Sequence, residues 1–296
     1  MSSTQHSVAS TDKQLAVDPF SEFNIGSLLL RMGKISPEDA EKIMKLHKDQ
    51  GMRFGEAAKS LGLITEGDIQ QVLARQFDYP YLIQESNSKH AKELVSAYQP
   101  FSKKSEVFRA VRSQLMLHWF SPERKALSFS SMNAGEGVSY FVSNLAIVFA
   151  QLGENTLLID ANLRSPRQHD IFELEERKGL SDILAGRAGQ EVISKVGVFE
   201  SLSVLPAGTL PPNPQELVSR PSFRKLIYDL SNQYDVILLD TPAFSYGADV
   251  QAISTATNGL VMVIKNHEAR MNDISAAAES LANNGTHIVG SVLVEF

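Results

Sequence analysis

Gly135 and Gly137, with Ser139 two residues further on, stand in the run SSMNAGEGVSYF, between a short apolar stretch and a long one. Closely spaced glycines let backbone N–H groups turn inward, and a helix beginning just after them adds partial positive charge. Gly135, Glu136, Gly137, Val138, Ser139 and Tyr140 therefore form a candidate cradle for phosphate. Ser139 occupies the place of a hydroxyl that ligates Mg²⁺ beside such phosphates. Taken alone, the run is equally a plain turn from strand to helix. Two acids sharpen it. LLIDANLRSP puts Asp160 at the end of an apolar run, with Asn162 and Arg164 beyond, and DVILLDTPAF does the same for Asp240. Acids at the carboxyl ends of neighbouring parallel strands are placed to hold Mg²⁺ against phosphate oxygens. Ser139, Asp160 and Asp240 are thus the candidate metal set, and Asp160, Asn162 and Asp240 the candidate catalytic set. An Asp that ends a strand also caps turns, but three elements in this order favour the phosphate reading.

Six short apolar runs must carry these groups: 126–131, 156–160, 202–205, 236–240, 260–264 and 288–294. They lack polar alternation and so read as strands buried on both faces, with the helical segments between them as crossovers. The fold class is α/β, a doubly wound, mostly parallel sheet that takes ligands at the carboxyl ends of its strands. The longest apolar stretch, 140–152, is interrupted by Ser143, Asn144 and Gln151. It is shorter than the ~20 apolar residues that cross a bilayer and reads as a buried helix.

A different pattern precedes this domain. One offset separates Gly26 from Gly55, Gly33 from Gly62, Ile35 from Ile64 and Asp39 from Asp68. In each copy a helix ends at a glycine and a β-branched residue follows. Ser36 or Thr65 then caps the next helix, with Glu38 or Asp68 in its first turn, near the positive dipole end. Residues 20–84 thus read as a small, mainly helical repeat domain. Residues 1–19 read as a disordered tail, 85–105 as a polar linker and 106–296 as the α/β domain.

The totals narrow the function. The net charge of −6 gives no general attraction to nucleic acid or anionic lipid. With no cysteine there is no disulfide, thiolate metal site or cysteine nucleophile, which fits a reducing compartment. The polar opening residues lack the apolar run of a signal peptide. The expectation is a cytoplasmic protein, peripheral at the inner membrane only through a partner.

The motifs from Glu106 onward resemble those of the bacterial tyrosine kinase (BY-kinase) family, which acts in polysaccharide export on a P-loop fold of the MinD/ParA kind. The resemblance makes Gly135–Ser139 the Walker A loop, Asp160–Arg164 the Walker A′ motif and Asp240 the Walker B acid. It implies ATP or ADP with Mg²⁺ as cofactors. Glu106, Arg109 and Arg112 match the Glu-x-x-Arg-x-x-Arg motif that contributes to the family's ring interface, and they share roughly one helical face. GLSDILAGR and LSVLPAGTLPPNPQEL extend the likeness, and the helical amino-terminal domain is similar to that of EpsG-type chain-length determinant proteins. The implied partner is a membrane-spanning polysaccharide co-polymerase, with a homo-oligomer of this chain. Residues 24–76 also resemble the MshE-type amino-terminal domain of type II secretion ATPases, some of which bind cyclic di-GMP. Arg53, Gly55, Gly62 and Gln76 match that motif in the second copy, whereas Asn24 replaces its arginine in the first.

Three departures weigh against catalysis. Val138 stands at the Walker lysine, and it offers no donor and no charge to phosphate. Asn162 stands where the family has a second Walker A′ acid, and an amide is no base at neutral pH. The sequence stops at GSVLVEF, without the family's tyrosine-rich tail. The expectation is weak or absent kinase activity with nucleotide binding retained, in a scaffold or regulator of exopolysaccharide synthesis and chain length. The alternatives are an active tyrosine autokinase in the same pathway and a cyclic di-GMP-responsive scaffold. A partitioning ATPase ranks lower, since no Lys occurs between Ser128 and Ser139. A dinucleotide dehydrogenase lacks its G-x-G-x-x-G turn.

Overall fold

Ser36 and Thr65 each set the start of a helix. The Ser36 hydroxyl accepts from the Asp39 amide (3.1 Å), and the Asp39 carboxylate accepts in return from the Ser36 amide (3.3 Å). Thr65 and Asp68 repeat this box at 3.2 and 2.9 Å. Two orphan amides are thereby satisfied at each helix start. These contacts come from a computed structural model that describes residues 25–76, 79–82 and 93–295. The tail expected at 1–19 lies outside the described residues.

The chain divides into two units, at Tyr79/Pro80. The first holds α1 (Ile25–Arg31), α2 (Pro37–Gln50), α3 (Phe54–Ser60) and α4 (Glu66–Gln76). Gly33 and Gly62, at φ 65° and 68°, take the left-handed turn that ends the first helix of each copy. Leu29, Ile35, Ile43, Ala57, Ile64 and Val72 form the shared core, so the repeated β-branched residues are buried. Lys34 of one copy reaches Asp68 of the other at 2.7 Å. Burial raises the Asp68 pKa, but the Lys34 ammonium and the Thr65 hydroxyl and amide outweigh it and bring the value down to about 2.

The second unit is a seven-stranded sheet of β1 (Ala126–Ser130), β2 (Thr156–Asp160), β3 (Ser194–Val196), β4 (Phe199–Leu205), β5 (Val236–Asp240), β6 (Gly259–Lys265) and β7 (His287–Val294), in the order β3-β4-β2-β5-β1-β6-β7. All pairs are parallel except β3 with β4. The helices are α5 (Val95–Tyr98), α6 (Lys103–His118), α7 (Val138–Gln151), α8 (Gln168–Ile171), α9 (Leu180–Leu184), α10 (Pro214–Val218), α11 (Pro221–Ser231), α12 (Asp249–Thr257) and α13 (Met271–Asn283). Side chains alternate across the pleat. Leu127, Phe129, Leu158, Leu238 and Val261 join α6 and α7 in one core. Leu157, Ile159, Ile237 and Leu239 join α9, α10, α11 and α12 in another. Two covered faces explain why the strands read as unbroken apolar runs.

Two expectations need correction. The sequence reading lacked β3, a three-residue antiparallel edge strand too short to show a pattern. The stretch read as a linker belongs, over its described residues, to the α/β unit. Leu94, Val95 and Ala97 enter its core. The polar residues of the buried helix α7 explain this. Asn144 accepts from the Ser96 amide and donates to the Glu93 carbonyl, and Gln151 donates to the carbonyls of Pro80 and Ser96. A core helix carrying Asn and Gln had therefore marked a docked segment, whose own polar composition hid it.

Gly259 opens β6 against the Trp119 ring, which donates to the Ala126 carbonyl at 3.2 Å. A Cβ at Gly259 would lie 2.2 Å from that ring. Gly259→Ala is expected to lower stability by about 1–3 kcal/mol, read as a lower midpoint in urea with an unchanged m-value.

Candidate functional site

β1 delivers the chain to a loop at the centre of the sheet's carboxyl edge. Gly135 and Gly137 adopt φ 82° and 84°, and α7 begins at the next residue. A side chain is strained in that region, so the glycines give the loop its inward amides. The segment after β5 is laced to this loop. Thr241 donates through backbone and hydroxyl to the Phe129 carbonyl, Ser130 Oγ donates to the Pro242 carbonyl, and the Phe244 and Ser245 amides donate to the Ser131 and Met132 carbonyls. The cradle and the end of β5 therefore form one body.

Register places the acids. Asp160 pairs with Asp240 across β2 and β5, and both are fully buried. Asp160 accepts three backbone amides, those of Asn162, Arg167 and Gln168. Gln168 then bridges outward. Its Nε2 donates to Asp240 Oδ2 at 2.8 Å, and its Oε1 accepts from Ser143 Oγ of α7. Burial above all, then the Asp240 charge, pushes the Asp160 pKa well up. Burial also pushes Asp240 up, against the Ser139 hydroxyl, the Gln168 amide and the Arg167 guanidinium. Both shifts favour the protonated form relative to isolated carboxylates.

A cleft of about 790 Å³ opens over these groups. Gly135–Tyr140, Asn162 and Asp240 all line it, so the sequence-derived nucleotide set shares one cavity, with Asp160 packed beside Asp240 beneath. Mg²⁺ fits the residues present. Asp240 Oδ1 is buried without a partner, and Ser139 stands beside the same carboxylate. No group of three acidic, His or Cys side chains gathers among the described residues. The rest of a Mg²⁺ shell would come from phosphate and water, as is usual for this ion.

The departures have structural roles of their own. Val138 is 8% exposed and belongs to the core with Phe108, Phe129 and Phe141, while forming part of the cleft wall. Asn162 Oδ1 accepts from the Ser165 amide at 3.0 Å, so this amide closes its own loop. Arg164 is clamped to the buried Asp249 by two bonds, at 3.1 and 3.0 Å. Tyr140 packs edge-on to Phe108. On α6, Arg109 pairs with Glu106 at 2.6 Å, and Arg112 donates to the Val148 carbonyl at 2.7 Å, tying α6 to α7. In the helical unit, Arg53 is exposed before α3, Gly55 packs on Ile69, Gly62 ends the turn and Gln76 closes α4. The turn at Gly62 and the packing at Gly55 account for both glycines without a ligand. The sequence reading missed Gln168, Asp249, Lys104 and Tyr246; the last two line the cleft. None sits in a motif, and only tertiary packing brings them in.

A glycine cradle opening a helix, with acids ending the flanking parallel strands, defines an α/β P-loop protein of the MinD/ParA-like class. The septum site-determining protein MinD of Pyrococcus horikoshii, solved with Mg-ADP, shares this fold at TM-score 0.51 and 22% identity, over 57% of this chain and 69% of that one. Residues 124–284 match the family model for cellulose biosynthesis protein BcsQ. The tyrosine-protein kinase YwqD of Bacillus subtilis is 32% identical over 206 residues, which is 70% of this chain and 87% of that protein. The tyrosine-protein kinase CpsD of Streptococcus agalactiae is 33% identical over 193 residues, 64% of this chain and 83% of that one. The kinase domain of the Escherichia coli tyrosine kinase ETK superposes at TM-score 0.66 with 27% identity, over 73% and 85% of the two chains. The chimerical protein CapA2B2 does so at 0.64 with 32% identity, over 77% and 98%. The chain belongs to the bacterial tyrosine kinase family.

Below the ordinary Asp value of 3.8, folded and unfolded chains both carry the protons of Asp160 and Asp240. Above it the unfolded chain releases them first, so the pair's contribution falls as pH rises towards the raised values, about 6 for Asp240 and about 8 for Asp160. Asp240→Asn is expected to stabilise the protein at neutral pH by about 1–3 kcal/mol, checked by thermal melts from acid to neutral pH. Arg164→Ala leaves Asp249 buried without its cation and is expected to cost about 3 kcal/mol, measured by urea unfolding.

Proposed function

We propose that this chain binds Mg²⁺-nucleotide in the cleft, transfers phosphate weakly or not at all, and works as a scaffold or regulator of exopolysaccharide synthesis and export. The observation that carries the reading is Val138. An intact cradle, Ser139 and the Asp160–Asp240 pair surround a position where the family's ammonium group is replaced by an isopropyl group held in the core. A charged hydrogen bond to phosphate contributes on the order of 1.5–3 kcal/mol. A donor made only in the transition state is worth about 10²–10³ in rate. Binding therefore survives the loss better than catalysis does. Asn162 adds to this, because its carbonyl is engaged in the loop.

The pathway assignment rests on the family and on the match of residues 124–284 to the model for cellulose biosynthesis protein BcsQ. We place the protein at the cytoplasmic side of the inner membrane, held there by a membrane-spanning co-polymerase. No helix among the described residues is long and apolar enough to cross a membrane. A relative solved as the chimera CapA2B2 is in keeping with a partner polypeptide. Self-association would use Glu106, Arg109 and Arg112 of α6, which match the family's interface motif, with the Glu106 side chain exposed.

The test compares the unmodified protein with Val138→Lys. Unmodified protein is expected to bind Mg-ADP and to give no phosphotyrosine with Mg-ATP. Val138→Lys, whose side chain enters the cleft wall, is expected to tighten Mg-ATP binding at least about tenfold. Robust phosphotyrosine in the unmodified protein would establish the active autokinase instead.

A further inference from the structure

The cleft has few cations of its own. Its lining includes two basic residues, Lys104 and Arg167. Arg167 is paired to Glu93 at 3.0 Å. Arg164 and Arg109, nearby in sequence to these elements, are likewise paired, to Asp249 and Glu106. Lys104 has neither ion pair nor hydrogen bond among the described residues.

The packing of α6 on α7 fixes where this side chain stands. Phe108 meets Tyr140 and Phe141 near the start of α7, with ring centroids 6.1 and 5.4 Å apart. One turn further along α6, Arg112 bonds to Val148 near the end of α7. The two helices therefore run in the same direction, and both amino termini face the carboxyl edge of the sheet. Lys104 is one turn before Phe108 on the same face, about 6 Å higher along the axis. That places it level with or above the loop from which α7 springs, and it shares the cleft wall with Gly135–Ser139. Its position is also electrostatically odd. Lys103 and Lys104 occupy the first turn of α6, at the positive end of the helix dipole, where a cation is disfavoured unless an anion lies before it.

We propose that Lys104 supplies, from α6, the ammonium group for nucleotide polyphosphate that Val138 on α7 does not. The inference rests on the nucleotide-binding reading of the cleft and deepens it. The cation has moved from the loop to the neighbouring helix, which suits holding a bound polyphosphate more than following a phosphoryl group in transfer.

The full chain tests this by titration calorimetry with Mg-ADP on the unmodified protein, Lys104→Gln, Lys104→Arg and Lys103→Gln. Lys104→Gln is expected to weaken binding about tenfold, Lys104→Arg to stay within about threefold, and Lys103→Gln to change nothing. In a Val138→Lys background the Lys104→Gln loss should shrink, because the two cations serve one anion. Lys104 is exposed, so folding is not at stake, and thermal melts confirm it. If unmodified protein binds Mg-ADP and Lys104→Gln binds it equally, the Lys104 assignment is wrong and the nucleotide reading stands. Equal losses from Lys103→Gln and Lys104→Gln would also overturn it, as a general charge effect. If unmodified protein binds no Mg-ADP, both readings fall.

Discussion

Two carboxylates set side by side inside the sheet govern the site. Asp160 and Asp240 face each other in register across β2 and β5, with no exposure to water. Their mutual repulsion and burial disfavour charge, and a domain core would gain stability from apolar residues there. Much of the surrounding architecture manages that cost. Three amides of the loop after β2 converge on Asp160, Gln168 donates to Asp240, and Ser139 stands beside it. The loop after β2 and the start of α7 are thereby held in one arrangement. One carboxylate oxygen, Asp240 Oδ1, still has no partner. That oxygen, with Glu136 Oε2 in the same cleft, is an acceptor of the kind a cation would take.

The same economy explains how Val138 is accommodated. At the first position of α7 a side chain faces both the cleft and the aromatic cluster of Phe108, Phe129 and Phe141. Valine answers the second environment and ignores the first. The glycine geometry of the loop is independent of that choice, since it depends on φ at Gly135 and Gly137 and on strands that end where β1 and β5 end. The cradle geometry therefore does not depend on which side chain stands at 138.

How far the sequence could show this follows from the range of each interaction. Strands buried on both faces announce themselves as apolar runs, and Ser36 and Thr65 stand directly before the helices they cap, so both were legible; the reciprocal bond between Ser36 and Asp39 shows only in the structure. That Asp160 and Asp240 end neighbouring strands follows from the sequence, whereas their pairing in register shows only in the structure. Gln168, Asp249 and Lys104 were illegible for the opposite reason. Gln168 and Asp249 meet their partners across distant segments, Asp240 and Arg164, and Lys104 lines the cleft from a helix far from it in sequence. The docked segment around Ser96 was misread because its hydrogen bonds are made by Asn144 and Gln151, in a helix whose apolar composition directed attention elsewhere.

Charge balance then decides what the cleft can accept. Asp240 and Glu136 each bring a buried carboxylate oxygen without a partner, and Glu93 and Glu295 stand in the wall, while Arg167 is already paired to Glu93. A free polyphosphate entering this space would meet more negative than positive charge at short range, where the low dielectric magnifies the repulsion. A divalent ion would reverse the sign, and the unpartnered oxygens of Asp240 and Glu136 are the acceptors that would hold it. Charge balance in the cleft therefore favours an anion that arrives together with a cation over a bare anion.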